Sequence, residues 1–508
     1  MSILIRDFDL RVFNLKTRLP FRYGIVTLTA LPHLFVSAEC EIDGRPVRGI
    51  AAENMAPKWF TKNPAQHFRD ELPEMTHVIR AACRHAVQAG QVATPFDLWR
   101  RVYLGQKQWA AATTYPSLLC GLGVSLVERA MLDAFCRGRG ITFSQALRQN
   151  QLGIDLHQYF TELLGRPDLP AASRSASELL PPRPLGSVIA RHTVGLIDPL
   201  TESEIAPADR LNDGLPQSLQ ECIRGYGLRH FKIKLAGDVA GDLDRLRQLA
   251  RVIDAACAGD YAFTLDGNEN YRELAPFRLL WEGLVKDAGL RGFLERLIFI
   301  EQPLHRDVAL SPAVGSEMLA WKHRPPLIID ESDGTLDGLA AAFDRGYVGT
   351  SHKNCKGVFK SIANACLIES LRRADPSRKL ILSGEDLSNV GPIALQQDLA
   401  VAANLGIASV ERNGQHYFRG LSMHAQALQE QVVAAHPDLF QWDGSTYPSS
   451  TRSSSDHPFA TVAIRDGRVS TTSVCAAPFG VGFELDTSQF QPLDQWKFAS
   501  LGISRSPV

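Results

Sequence analysis

Apolar and polar positions alternate singly at the start of the chain. Ile3 and Ile5, then Leu10 and Val12, repeat with the period of a half-buried strand. The run Leu34-Phe35-Val36-Ser37-Ala38-Glu39-Cys40-Glu41-Ile42 leads into Asp43-Gly44, a pair that favours a hairpin turn. From about residue 64 to 150 the rhythm is helical: Leu118, Leu119, Leu122, Leu126, Ala130, Leu132 and Phe135 recur at three- and four-residue steps. Residues 166–187 are rich in Pro, Ser and Arg and read as a surface linker or insertion loop.

Beyond residue 187, short apolar runs alternate with amphipathic stretches. The runs begin at Val188, His230, Ala262, Leu297, Leu327, Val348, Leu380 and Ile407. Eight strand–helix units of this size match a (β/α)8 barrel, an α/β fold closed on itself. An open doubly wound sheet has the same pattern, but no glycine-rich dinucleotide turn follows the first strand. The Ser-rich stretch 444–457 reads as a mobile loop. Strand-and-turn chemistry resumes at Phe459–Ile464 and Asp466-Gly467, and the tail is expected to leave the barrel and rejoin the N-terminal region.

The chemistry lies where the apolar runs end. Asp266 follows Leu265, Glu301 follows Ile300, and Asp330-Glu331 follow Ile329. Neighbouring barrel strands would bring these acids together at the C-terminal rim, where barrel active sites are built. Carboxylates so close repel unless something positive sits among them, and Mg²⁺ suits such an oxygen set. Lys232 and Lys234, two apart on a strand, point to one face. A like charge or partial burial would lower their pKa and make them bases. Lys353, one unit after Asp330, would face the metal from the opposite side. A base on each side of a metal-held carboxylate suits removal of the α-proton, with the resulting enediolate stabilised by the metal. His192 on the first strand, Glu385 and Asp386 ending the seventh and Glu411 ending the eighth are candidates to touch substrate.

Charge sharpens the picture by exclusion. The 508 residues carry 54 Lys+Arg against 55 Asp+Glu, which gives no reason to expect nucleic acid or an anionic membrane as partner. No apolar run reaches membrane-spanning length, and the first residues lack the order of a signal peptide. Nine cysteines, an odd number with no C-x-x-C pair, read as free buried thiols in a reducing compartment, hence a cytoplasmic protein.

Lys232-Ile233-Lys234, Asp266-Gly267-Asn268, Glu301-Gln302-Pro303, Asp330-Glu331-Ser332 and Lys353-x-x-Lys356-Gly357 resemble, in order and spacing, the signatures of the enolase superfamily, and specifically its muconate-lactonizing-enzyme subgroup. The resemblance is strongest from about 187 to 420. It implies a barrel at 188–424, a capping α+β domain at 1–140, a linker or insertion at 141–187 and a C-terminal segment, 425–508, returning to the cap. It implies Mg²⁺ on Asp266, Glu301 and Asp330, acid/base roles for Lys234 and Lys353, and electrostatic assistance from Lys232. Phe21-Arg22-Tyr23-Gly24 and Met55–Trp59 resemble the loops that close over substrate, which makes Arg22 and Tyr23 contact candidates, and Asn268, two residues after Asp266, is another. The implied reaction is racemisation or epimerisation, cycloisomerisation or β-elimination of a small carboxylate, in a possible homo-oligomer.

Two departures stand out. Gly357-Val358 replaces the family's double glycine, and Glu331 competes with Asp330 as third ligand. The alternatives are a Schiff-base lysine aldolase on the same barrel, or a catalytically silent metal-binding barrel acting as a binding protein.

Overall fold

The computed structural model describes residues 1–169, 175–442 and 458–503. The chain opens with a meander, β1 (Ile3–Tyr23), β2 (Val26–Ile42) and β3 (Arg45–Asn54), paired antiparallel. Ile42 pairs with Arg45 across a two-residue turn in which Asp43 and Gly44 both take positive φ, 51° and 78°. That is the geometry the Asp-Gly pair favours. Three helices follow: α1 (Phe68–Gln88), α2 (Pro95–Ala110) and α3 (Ser117–Arg139).

α3 is buried on almost every side. Its three-and-four spacing fills the core between cap sheet and barrel, and two of its buried charged residues, Arg129 and Asp133, have charged partners. Arg129 is fully buried. It lies 3.1 Å from Glu53 Oε2 and donates to Ala52 O at 2.9 Å. Asp133 accepts from Ile50 N–H at 3.0 Å and from Arg137 at 2.8 Å. Buried charges so satisfied fix how β3 seats on the helix.

The barrel strands are β4 (Ser187–Val194), β5 (His230–Lys234), β6 (Ala262–Asp266), β7 (Leu297–Glu301), β8 (Leu327–Ile329), β9 (Gly349–His352), β10 (Ile381–Gly384) and β11 (Ser409–Arg412). Each pairs in parallel with the next. The ring closes because β11 pairs with β4 in parallel, Ser409 with Ile189 through Arg412 with His192. That pairing excludes the open sheet.

The tail divides between the two domains. Three short strands follow β12 (Phe440–Trp442) and β13 (Ala460–Val462): β14 (Ile464–Arg465), β15 (Arg468–Ser470) and β16 (Gln491–Pro492). β15 pairs antiparallel with β4, so this part of the tail stays on the barrel rather than leaving it. Only the end reaches the cap, where β16 pairs with β1 and Trp496 donates to Asn14 at 2.8 Å. The 166–187 stretch is also not all surface. Ala176, Leu179 and Leu180 are buried, because the apolar residues among its prolines find the barrel wall. The Ser-rich stretch 444–457 lies outside the described residues.

Among the described residues no helix is long and apolar enough to cross a membrane. All nine cysteines are free thiols, eight of them buried.

Candidate active site

Strand alternation decides which side chains reach the barrel interior. On β5, Phe231 and Ile233 pack outward while Lys232 and Lys234 point in. Register then carries the same face round the ring: Lys234 pairs with Asp266 and Asp266 with Glu301. The result is one buried charge cluster. Lys232 Nζ lies 3.0 Å from Asp266, 2.8 Å from Glu301, 2.8 Å from Glu385 and 2.7 Å from Glu411. Lys234 Nζ lies 2.6 Å from Asp266 Oδ2. Lys353 Nζ lies 2.7 Å from both Asp330 and Glu385. Lys356, the second lysine of the Lys353-x-x-Lys356 pair and given no role from the sequence, donates to Asp330 Oδ1 at 2.6 Å and to Ser351 O at 2.7 Å.

One oxygen each from Glu301, Asp330 and Glu385 lie within 4.8 Å of one another. Asp266 is not in that triple and joins it through Lys232. Glu331 is not in it either, although it lines the cavity. Glu301 Oε1 is buried without a hydrogen bond, while Oε2 meets the Lys232 ammonium. Carboxylates outnumber the ammonium groups here, and every donor is an oxygen. That set fits a hard divalent cation such as Mg²⁺.

The lysine pKa values run opposite to the expectation of a lowered base. Burial does lower Lys232, but Asp266, Glu301, Glu385 and Glu411 outweigh it and hold the amine well above its usual range. Lys234 and Lys353 are raised for the same reason, by Asp266 for the first and by Asp330 and Glu385 for the second. Burial raises Asp266 less than Lys232 and Lys234 lower it, so it stays ionised. Burial and the neighbouring Glu385 push Glu301 well up, and burial with Asp330 brings Glu331 to about 8.

The cap closes the cavity from above. Phe21, Tyr23, Leu28, Ala56 and Trp59 line it together with Lys234, Asp266, Lys353 and Leu387. The Trp59 ring sits over the Lys353 ammonium at 5.0 Å, a cation–π contact. Arg306 holds this loop down, donating to Trp59 O and Phe60 O at 2.9 Å each while paired with Glu269 at 2.7 Å. The enclosed space is about 50 Å³.

Several candidates land where the sequence placed them and two do not. Tyr23, Asn268, Glu331, Glu385, Asp386 and Glu411 line the cavity. Asp386 is paired with Arg412 and accepts from Asn389 N–H at 3.0 Å. Arg22 is exposed and off the cavity, because alternation on β1 turns Phe21 and Tyr23 inward and the residue between them outward. His192 is buried on the outer face of β4, since its neighbour Thr193 takes the interior position and donates to Glu411 at 2.5 Å. Ser388 and Asn413 also line the cavity and carry no signal in the sequence beyond following a barrel strand.

The lost second glycine has a local explanation. Gly357 takes φ 116° and the helix Val358–Ala374 starts at once, its first N–H satisfied by Glu128 of α3.

No family model matches the chain, and no curated protein matches it. Solved structures do match. A muconate lactonizing enzyme from Pseudomonas fluorescens complexed with muconolactone is 15% identical, with TM-score 0.54, over 96% of this chain and 97% of the other. The fold is that of the muconate lactonizing enzymes. A dipeptide epimerase from Enterococcus faecalis, complexed with Mg and L-Leu-L-Tyr, is 14% identical over 82% of this chain and 92% of its own, with TM-score 0.51. An enolase from alpha proteobacterium BAL199 with bound Mg is 17% identical over 95% and 97%, with TM-score 0.54.

Proposed function

We propose that the protein is a Mg²⁺-dependent member of the enolase superfamily that removes the proton α to a carboxylate in a small substrate. The observation that carries the reading is the single buried cluster in which Asp266, Glu301, Asp330 and Glu385 meet Lys232, Lys234 and Lys353. Solved structures named as racemases, epimerases and muconate lactonizing enzymes share the fold and support the same class.

Asp266, Glu301 and Asp330 would hold Mg²⁺, with Glu385 near enough to join them. When bound, the ion supplies Lewis-acid stabilisation of the charge that builds on the substrate carboxylate. Lys234 and Lys353 do the proton work. Their strands, β5 and β9, stand four places apart in a ring of eight, so the amines reach the cavity from opposite sides. One amine takes the α-proton from one face and the other returns a proton to the opposite face, which suits racemisation or epimerisation. β-Elimination uses the same first step, and cycloisomerisation passes through the same enediolate, formed by ring closure and then protonated at the α-carbon. Lys232, with an acid on every side, holds the cluster together. The acids hold the amines protonated, and a divalent cation on the same oxygens would offset their charge and lower the amines toward the range of a usable base.

A cavity of about 50 Å³ is well below the roughly 300 Å³ and more of small-molecule sites, so a substrate larger than a few atoms would need the Trp59 loop to move aside. Phe21, Tyr23, Trp59 and Leu387 favour a substrate whose body beyond the carboxylate is uncharged and apolar. Nine unpaired thiols support a reducing compartment such as the cytoplasm.

The test is α-proton exchange in D₂O, read by NMR, across N-acyl amino acids, dipeptides, acid sugars and muconates. Exchange that requires Mg²⁺ and is lost in Lys234→Ala and Lys353→Ala supports the reading. Exchange that survives in either variant, or Mg²⁺-loaded protein silent across the set, argues for a barrel that binds without turnover.

A further inference from the structure

Behind the barrel wall, away from the acid cluster, three ligand-type side chains converge. His192 faces outward from β4. Cys222 lies on the helix Leu219–Tyr226, and His416 on the short helix Gly414–Tyr417 that follows β11. All three are buried, and one ligand atom from each lies within 4.8 Å of the other two. We propose that His192, Cys222 and His416 form a second metal site, separate from the barrel acids, that takes Zn²⁺.

Geometry supports it first. Cys222 Sγ and His416 Nδ1 are 3.5 Å apart. Zinc bonds of about 2.3 Å to sulfur and 2.0–2.1 Å to nitrogen, at a tetrahedral angle, separate the two donors by about 3.6 Å. His192 Nδ1 is buried without a partner, which a simple thiol–imidazole hydrogen bond between the other two leaves unexplained. Behind His416, Asp198 Oδ2 stands 3.9 Å from Nε2, fixed by Tyr417 OH at 2.5 Å and Gly195 N–H at 2.7 Å. A carboxylate behind a ligating imidazole is the usual outer partner of zinc histidines.

Chemistry agrees. Burial holds both imidazoles below their usual range, so they are neutral at pH 7, the ligating form. Burial raises the Cys222 thiol, so it loses its proton only as the ion binds. Two nitrogens and a sulfur select zinc over magnesium. Arg18, the nearby cation, is already paired with Asp213 at 2.6 Å. The ion would tie β4, the helix Leu219–Tyr226 and the turn after β11 beneath the cap, because Tyr417 stacks on Phe21 at 4.1 Å.

The full chain, freed of metal by chelator dialysis and then titrated with Co²⁺, tests this. The expected result is one equivalent that produces a thiolate-to-cobalt charge-transfer band. Zn²⁺ removes the band and excess Mg²⁺ does not. Cys222→Ser abolishes it, and His192→Gln, which leaves the thiol in place, weakens it. Absence of the band in the wild type, or its survival in Cys222→Ser, would overturn the proposal. Since barrel carboxylates give no thiolate band, the outcome is independent of whether those acids hold Mg²⁺.

Discussion

Lys232 and Lys353 meet on one oxygen: Glu385 Oε2 lies 2.8 Å from the first ammonium and 2.7 Å from the second. Glu385 thus joins the two sides of the barrel mouth and sits in the same oxygen triple as Glu301 and Asp330. Glu385→Gln keeps the shape but removes the charge. Calorimetric titration with Mg²⁺ is expected to show affinity lowered by about 10- to 100-fold, the range seen when a supporting partner of a metal site is lost. Unchanged affinity would place Glu385 outside the metal's reach.

Arg306 clamps the loop that carries Trp59. Arg306→Ala is expected to speed hydrogen exchange at residues 56–60 while leaving exchange in the barrel strands unchanged. Its partner Glu269 is left without that cation, so thermal stability should also fall. Equal exchange in both proteins would mean that the clamp does not hold the loop.

Arg129 and Glu53 join α3 to β3 out of reach of water. Arg129→Ala strands a buried carboxylate and is expected to destabilise the protein by about 3–5 kcal/mol in urea unfolding. Replacing both, Arg129→Met with Glu53→Leu, should recover much of that loss. A single variant within about 1 kcal/mol of wild type would contradict the role given to this pair.

His424 stacks on Phe13 at 4.3 Å with both ring nitrogens buried and unpartnered. Burial, helped by His33, lowers its pKa to about 3. Below about pH 6.5 the unfolded chain takes up a proton there that the folded chain refuses, so His424 costs stability as pH falls. Glu128 works in the opposite direction, since burial raises it to about 8 and the folded state keeps its proton longer. The clean readout is therefore a difference. Between pH 6.5 and 5, His424→Leu should gain on wild type by about 2 kcal/mol in unfolding free energy. Parallel pH curves would refute it.

Much of the site was legible because strand ends are where apolar runs stop. Asp266, Glu301 and Asp330 each follow such a run, and two-residue spacing put Lys232 and Lys234 on one face. What failed was facing. His192 and Arg22 lie on the right strands, but a shift of one residue reverses the side, and only the register with neighbouring strands fixes it. The central place of Glu385 was hidden for another reason: it depends on two lysines from distant strands meeting it, and no local pattern encodes that. Without a metal the amines stand above their usual range rather than below it, because burial and like charge can be read from the sequence but the number of acids crowding each amine cannot. The tail's attachment to β4 rests on three residues, Arg468–Ser470, too short a run to reveal its partner.

The most direct measurement is anomalous diffraction from a crystal of the full chain soaked in Mn²⁺, which takes the same oxygen ligands as Mg²⁺. The expected result is one strong peak at coordination distance from carboxylate oxygens of Asp266, Glu301 and Asp330, with the Lys232 ammonium moved off them. A barrel mouth with no peak, or a peak bound by other residues, would contradict the central claim.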